Sequence, residues 1–294
     1  MRTFESPAIS CSGCKGGQGL PFQLSMAFQP IVDTLANRVY AYEALVRGVA
    51  NEPAGHILAQ LTEANRYAFD QQCRVKAIEL AVRLGMPATG AKLSINFMPG
   101  AVYSPAACIK LTLDSAARLA FPLDRLIFEI TETEQVKDRK HLVSIAEEYR
   151  KHGFQMALDD LGSGFSGLNL LADVKPEIVK IDMDLIRGID RRPTAFLIVQ
   201  KLTELCHSLG IEVVGEGVET EAEFASLRAC GIRLMQGYLL AKPAFEALPA
   251  YTLPLSIPGA ADGPQHRPHA QPALAHIPQS HYEAQQPLAV SASS

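Results

Sequence analysis

The stretch LVSIAEEYRKHGFQMALDD, residues 142–160, decides the fold. Its first half sets Leu142, Ile145, Ala146 and Tyr149 at helical spacing, and Gly153 closes that run. Gln155–Leu158 follows, an apolar run of strand length that ends on two aspartates, Asp159 and Asp160. Helix, glycine, strand and acid together form a unit that can be sought along the rest of the chain.

The unit recurs in both directions. Runs of strand length lie at Met26–Val32, Val39–Leu45, Lys92–Phe97, Leu126–Ile130, Ile178–Ile181, Glu212–Val214 and Leu234–Leu240. They are mostly continuous in apolar character, as strands covered on both faces are. Between them, Ile78, Ala81, Val82 and Leu84 end at Gly85, and Leu202, Leu205, Cys206 and Leu209 end at Gly210. Thr220 with Glu223 makes a capping-box start for a helix closing at Gly231. Such alternation predicts a (βα) barrel or a doubly wound sheet.

Composition narrows the class. The 294 residues are 48% apolar, with a formal net charge of −4 and a pI near 6.1. A polyanion-binding surface is not indicated, so no nucleic-acid polymer is expected as a partner. No apolar run reaches the roughly 18 residues that span a bilayer, and residues 1–20 lack the apolar centre of a secretory signal. The expectation is a cytoplasmic protein with no membrane partner. Residues 1–22 read as a flexible arm, 23–250 as the barrel, and 251–294, rich in Pro, Ala, Gln and His, as a disordered tail. Cys73, Cys108, Cys206 and Cys230 read as small buried residues, whereas Cys11 and Cys14 form a Cys-x-x-Cys without the second pair that a zinc site needs.

Polar residues interrupt the strands in a pattern. In order they are Glu43, Asn96, Glu129, Asp159–Asp160, Lys180, Glu216 and Gln236, nearly all within or at the end of an apolar run. A buried carboxylate costs several kcal/mol unless paired or metal-bound. One would be a core ion pair, but a series near the C-terminal ends of successive strands points to one mouth of a TIM-like α/β barrel, where such folds carry their sites. The donors are all oxygen, which suits Mg²⁺, Mn²⁺ or Ca²⁺ rather than zinc. Two ions about 4 Å apart, bridged by one carboxylate, would stabilise the attack on a phosphodiester and its departing oxygen. Three glycines within residues 162–167 make a mobile loop directly after the aspartate pair.

The blocks Phe28-Gln29-Pro30-Ile31-Val32-Asp33, Tyr42-Glu43-Ala44-Leu45-Val46-Arg47, Ser94-Ile95-Asn96 and Glu129-Ile130-Thr131-Glu132 resemble the EAL-domain cyclic di-GMP phosphodiesterases. So do Asp159-Asp160-Leu161-Gly162-Ser163-Gly164, Val179-Lys180-Ile181-Asp182, Glu216-Gly217-Val218-Glu219 and Gln236-Gly237-Tyr238, in the same order, over about Leu24 to Pro249. The short Cys-x-x-Cys arm is similar to that of single-EAL or blue-light-sensor-linked members, and no sensor or cyclase domain is expected ahead of it. The resemblance implies two Mg²⁺ or Mn²⁺ ions, one on Glu43, Asn96, Glu129 and Asp159, the other on Asp159, Asp160 and Glu216. Ca²⁺ would fit without supporting turnover. Lys180 would assist the attacking water, with Glu216, Asp159 and Asp160 completing the catalytic set. Arg47, Gln29 and Gln236 would bind substrate, while Glu132 and Glu219 would support the glycine-rich loop. Cyclic di-GMP would be opened to the linear dinucleotide pGpG, and a homodimer is a further implied partner.

Gly48, Leu161, the loop residues Ser163, Phe165 and Gly167, and Gly215 depart from the family pattern, though none removes a ligand. An EAL-fold receptor or protein-binding regulator is therefore the second reading. A third, an aldolase with Lys180 as nucleophile, would need an apolar pocket, whereas Lys180 stands close to Asp182.

Overall fold

The computed structural model describes residues 20–131, 139–164 and 167–254. Its strands are β1 (Leu24–Asp33), β2 (Arg38–Gly48), β3 (Lys92–Asn96), β4 (Leu126–Thr131), β5 (Gln155–Leu161), β6 (Ile178–Ile181), β7 (Glu212–Gly215), β8 (Leu234–Met235) and β9 (Ala244–Phe245). The α-helices are α1 (Ala54–Leu58), α2 (Arg66–Arg83), α3 (Met86–Thr89), α4 (Pro105–Cys108), α5 (Lys110–Arg118), α6 (Arg139–Lys151), α7 (Gly167–Val174), α8 (Met183–Ile186), α9 (Pro193–Ser208) and α10 (Glu221–Ala229). The strands β1 to β8 close into a barrel, because β1 pairs with both β2 and β8; β9 adds to β1 from outside the ring.

The expected TIM-like architecture is present, with one strand reversed. From β2 to β8 every neighbour is parallel, whereas β1 runs antiparallel to both its partners. The cause is local. Asp33 Oδ1 accepts the backbone N–H groups of Leu35 and Ala36 at 3.1 and 3.0 Å, and Asn37 takes a left-handed φ of 47°. An aspartate turn closed by a left-handed asparagine makes a hairpin, so no crossover helix separates β1 from β2.

Elsewhere the helices form as their spacing requires. On α6 the buried residues are Leu142, Ile145, Ala146 and Tyr149, one stripe facing the sheet. Gly85, Gly153, Gly210 and Gly231 adopt φ of 78°, 86°, 74° and 88°, which lets the chain leave each helix without a Cβ clash. The capping box at Thr220 and Glu223 is present at the start of α10. Cys73, Cys108, Cys206 and Cys230 are buried free thiols. The arm and the tail, with Cys11 and Cys14, fall almost entirely outside the described residues.

Alternation along the strands stacks the barrel interior in layers. A middle layer of Ile31, Ala41, Ile127, Ala157, Ile178, Val214 and Leu234 is apolar and packed. One step toward the N-terminal ends of the parallel strands, Lys92 Nζ donates to Tyr40 Oη at 3.0 Å and to Gln155 Oε1 at 2.6 Å. There Arg233 pairs with Asp33 and, at 2.6 Å, with Glu212. These groups plug the lower mouth. Outside the ring, the fully buried Arg74 pairs with Asp70 at 2.8 Å, donates to Tyr149 Oη at 2.6 Å and lies over the rings of Phe97 and Phe128. Asp70 in turn accepts the Met98 N–H at 2.9 Å. This buttress braces the ends of β3 and β4.

Candidate metal centre

The upper mouth collects acidic residues from β2, β4 and β5 and from the end of β7. Lys180 is 1% exposed, and its ammonium lies 2.6 Å from Glu216 Oε1, 2.9 Å from Asp159 Oδ1, 3.0 Å from Glu129 Oε2 and 3.3 Å from Glu43 Oε2. Glu43 Oε1 accepts from Asn96 Nδ2 at 2.9 Å, and its Oε2 from Gln236 Nε2 at 2.9 Å. Glu129 Oε1 accepts from the Ser94 hydroxyl.

Successive strand residues point to opposite faces, yet Asp159 and Asp160 serve the same mouth. The register of β5 against β6 slips between Leu158 and Leu161, where three steps on β5 oppose two on β6, and Asp160 sits at φ 55°. A one-residue bulge with a left-handed aspartate re-aims the second carboxylate. Carboxylate oxygens of Glu43, Glu129 and Asp159 then lie within 4.8 Å of one another, as do those of Asp159, Asp160 and Glu216. Asp159 belongs to both groups.

Five carboxylates gather about one ammonium in a buried setting, a formal excess of four negative charges with every acid ionised. The titration of the groups registers this excess. Burial, then the neighbouring Glu43 carboxylate, pushes Glu129 up to about 8. Burial, then Asp159 and Asp182, pushes Asp160 up to about 6. Burial also raises Asp159 and lifts Glu216 well above the carboxylate range. Glu43 is the exception: burial opposes its ionisation, but Lys180, Gln236 and Asn96 outweigh burial and hold it below the usual range. Burial disfavours the Lys180 charge, yet Asp159, Glu129, Glu216 and Glu43 hold its proton well above the ordinary lysine range. An all-oxygen set short of positive charge fits divalent hard cations.

The mouth opens into a cavity of about 330 Å³ lined also by Gln29, Met183, Gly217, Glu219, Gly237 and Tyr238. Its lip is made by backbone meeting backbone. Val218 donates to Gln236 O at 3.1 Å, Leu239 donates back to Val218 O at 3.0 Å, and any Cβ on Gly237 would overlap the Val218 backbone. The run expected as a strand over Leu234–Leu240 is therefore a strand only at Leu234–Met235; beyond it the chain turns in to deliver Gln236. A second, apolar cavity of about 670 Å³, lined by Leu45, Val46, Leu58, Phe69 and Met98 among others, shares Asn96 with the centre.

The structure thus brings together Glu43, Asn96, Glu129, Asp159, Asp160, Lys180, Glu216 and Gln236, with Gln29 at the rim donating to Ala241 O at 3.1 Å. Gln236, expected on the substrate, here orders Glu43. Arg47 donates to its neighbour Val46 O at 2.8 Å and does not line the cleft cavity. Glu219 pairs with Arg187 at 2.9 Å, while Glu132 and residues 165–166 of the loop lie outside the described residues. The sequence gives Ser94 no role beyond its block with Asn96; its place two residues before Asn96, on the same strand face, is the signal that marks it.

Comparison with known proteins agrees with this geometry. The EAL domain family model matches residues 22–243. A crystal structure of a standalone EAL protein from Vibrio cholerae O395, bound to c-di-GMP, is 50% identical, with a TM-score of 0.76 over 80% of this chain and 98% of that one. Klebsiella pneumoniae BlrP1, in a complex with calcium and cyclic di-GMP, is 34% identical with a TM-score of 0.73, covering 80% of this chain and 59% of that one. The blue light- and temperature-regulated antirepressor BluF of Escherichia coli K12 is 30% identical over 229 residues, 78% of this chain and 56% of BluF. The chain spans little more than half of that relative, so the activity of the whole relative is not carried over. The family match takes in all eight strands of the closed ring and every acid of the upper mouth, and the chain belongs to the EAL domain family.

Proposed function

We propose that the chain is a phosphodiesterase that hydrolyses cyclic di-GMP to the linear dinucleotide pGpG with two divalent cations, Mg²⁺ or Mn²⁺. The carrying observation is the pair of carboxylate groups that share Asp159, whose formal excess of four negative charges over Lys180, once every acid has lost its proton, two divalent cations would neutralise. Glu43, Asn96, Glu129 and Asp159 would hold one ion, and Asp159, Asp160 and Glu216 the other. Bound there, the ions supply a nucleophile at neutral pH and charge stabilisation of the transferred phosphoryl group.

The chain's own residues do the rest. Lys180 keeps its proton and orients the oxygen that enters between Asp159 and Glu216, and it screens charge growing on the phosphate. Gln236 and Asn96 fix the rotamer of Glu43 from both sides. The largely apolar cavity beside Asn96 falls in the size range of small-molecule sites, which supports a small-molecule substrate bound next to the centre. Relatives point the same way: several solved neighbours hold c-di-GMP, and one was solved with manganese as well as with calcium.

A second reading, an EAL-fold receptor or protein-binding regulator, is favoured by one observation, the resemblance to an antirepressor over most of this chain. One experiment separates the two. Purified protein is incubated with cyclic di-GMP and Mg²⁺ or Mn²⁺, and nucleotides are followed by chromatography, with Glu43→Ala and Ca²⁺-only samples as controls. Linear dinucleotide that disappears in both controls supports hydrolysis. Binding without cleavage moves the conclusion to a receptor.

A further inference from the structure

The geometry points to Ser94 as the residue that sets which cation the first carboxylate group prefers, by holding Glu129 to one metal-facing oxygen. The inference rests on the metal-dependent reading above. Ser94 is wholly buried on β3, opposite Ile127 in register, which places Glu129 diagonally two residues further along β4. Its hydroxyl donates to Glu129 Oε1, while Oε2 faces Lys180 at 3.0 Å and the shared centre. The two oxygens of this carboxylate are therefore divided between a positioning residue and the site. The bond to Oε1 fixes the rotation of the carboxylate and takes one lone pair of that oxygen, so Oε2 is the oxygen presented toward the shared centre.

That division bears on ion size. Ca²⁺ takes six to eight oxygens at roughly 2.3–2.6 Å and commonly draws both oxygens of a carboxylate. Mg²⁺ and Mn²⁺ favour octahedral sites with single oxygens at shorter distance. A glutamate held at Oε1 favours single-oxygen contact with the smaller ions over chelation of Ca²⁺ by both oxygens. Glu43 is held in a comparable way by Asn96, but Asn96 is itself a candidate ligand and its removal would mix two effects. The Ser94 hydroxyl is committed to Glu129, so its removal isolates the positioning effect.

The test is calorimetric titration of the metal-free full chain with Mn²⁺ and with Ca²⁺, in wild type, Ser94→Ala and Ser94→Thr. Ser94→Ala is expected to raise the ratio of Ca²⁺ to Mn²⁺ affinity on the order of tenfold, the scale of effects from residues that orient ligands. Ser94→Thr keeps the hydroxyl and is expected to stay near the wild-type ratio. Infrared difference spectra of the Ca²⁺-loaded proteins give a second readout that does not depend on the threonine variant folding. An additional chelating carboxylate signature should appear in Ser94→Ala relative to wild type. Equal loss for both ions, or an unchanged ratio without the new signature, overturns the inference and leaves Ser94 as packing. Wild type that binds neither ion overturns the metal reading and this inference together.

Discussion

The barrel carries a lysine at each mouth, half-buried at the lower and buried at the upper, and the two are set among opposite kinds of company. At the lower mouth Lys92 donates to neutral Tyr40 and Gln155, while Arg233 answers Asp33 and Glu212. Two cations meet two anions there, and the group is satisfied as it stands. At the upper mouth Lys180 alone meets the carboxylates of Glu43, Glu129, Asp159 and Glu216, with Asp160 beside them. A fold selected only for stability would not gather five acids around one ammonium, because each uncompensated buried charge costs several kcal/mol. The lower mouth closes the barrel; the upper one is held ready for charge that comes from outside.

Substitutions at the upper mouth should produce the largest effects, and they should appear in turnover. Glu43→Ala and Lys180→Ala are each expected to lower hydrolysis of cyclic di-GMP on the order of a thousandfold or more. They should part company in metal titration. Glu43→Ala removes a ligand oxygen and weakens binding, whereas Lys180→Ala removes a competing cation and leaves binding intact or tighter. Loss of binding in both variants would mean that Lys180 is a structural member of the centre, and the contrast between ligand and positioned lysine would fall.

At the lower mouth the same kind of change should appear in stability and spare turnover. Arg233→Met strands the carboxylate of Asp33, which is 2% exposed and keeps only the backbone N–H groups of Leu35 and Ala36. The expected loss is about 3 kcal/mol, seen as a fall in Tm of roughly 6–12 °C, with unchanged activity per folded molecule. A variant that melts normally but turns over slowly would erase the division of labour between the mouths.

Much of this contrast is written in the sequence, unevenly. The upper mouth was legible because acids inside apolar runs are costly, and Glu43, Glu129, Asp159, Lys180 and Glu216 all break such runs. The lower mouth was not. Lys92, Gln155 and Glu212 stand at the first residues of their strands, where charged and polar groups usually face solvent, and only barrel closure turns them inward. The reversed β1 escaped because apolar continuity marks a strand without giving its direction; the Asp33 turn carried that information in a single side chain. Gln236 was legible as a site residue but not its partner, since the turn after Met235 depends on Gly237 meeting the Val218 backbone. Arg47 was read from resemblance alone, and its guanidinium bonds locally.

A subtler contrast lies in how the metal-free fold responds to losing an acid. Glu129→Gln keeps the shape of the side chain and removes a charge crowded by Glu43 and Asp159. With chelator present at pH 9, where Glu129 is ionised, denaturant unfolding should show the variant about 1–3 kcal/mol more stable than wild type. Asp33→Asn at the lower mouth should do the reverse, because it breaks a balanced pair with Arg233. Destabilisation by Glu129→Gln at pH 9 would show that Lys180 alone satisfies the upper cluster and that no outside charge is called for.

The smallest effect is a count of protons. With Glu129 at about 8, the metal-free protein at pH 7 carries a proton there that the unfolded chain has already released. The folded state binds more protons than the unfolded one, so this group's contribution to stability falls as pH rises from the ordinary carboxyl range to about 8. A cation needs the carboxylate, so binding must expel that proton below about pH 8 and affinity should climb with pH through that range; Glu216, also raised well above the carboxylate range, adds its own release. Asp160, at about 6, adds a further release only below pH 6. Calorimetry of Mn²⁺ binding at pH 7 in buffers of different ionisation heat measures the release directly, with up to one proton from Glu129 expected. In Glu129→Gln that contribution should vanish, and its persistence there would place the shared proton on Glu216 or Asp159 instead.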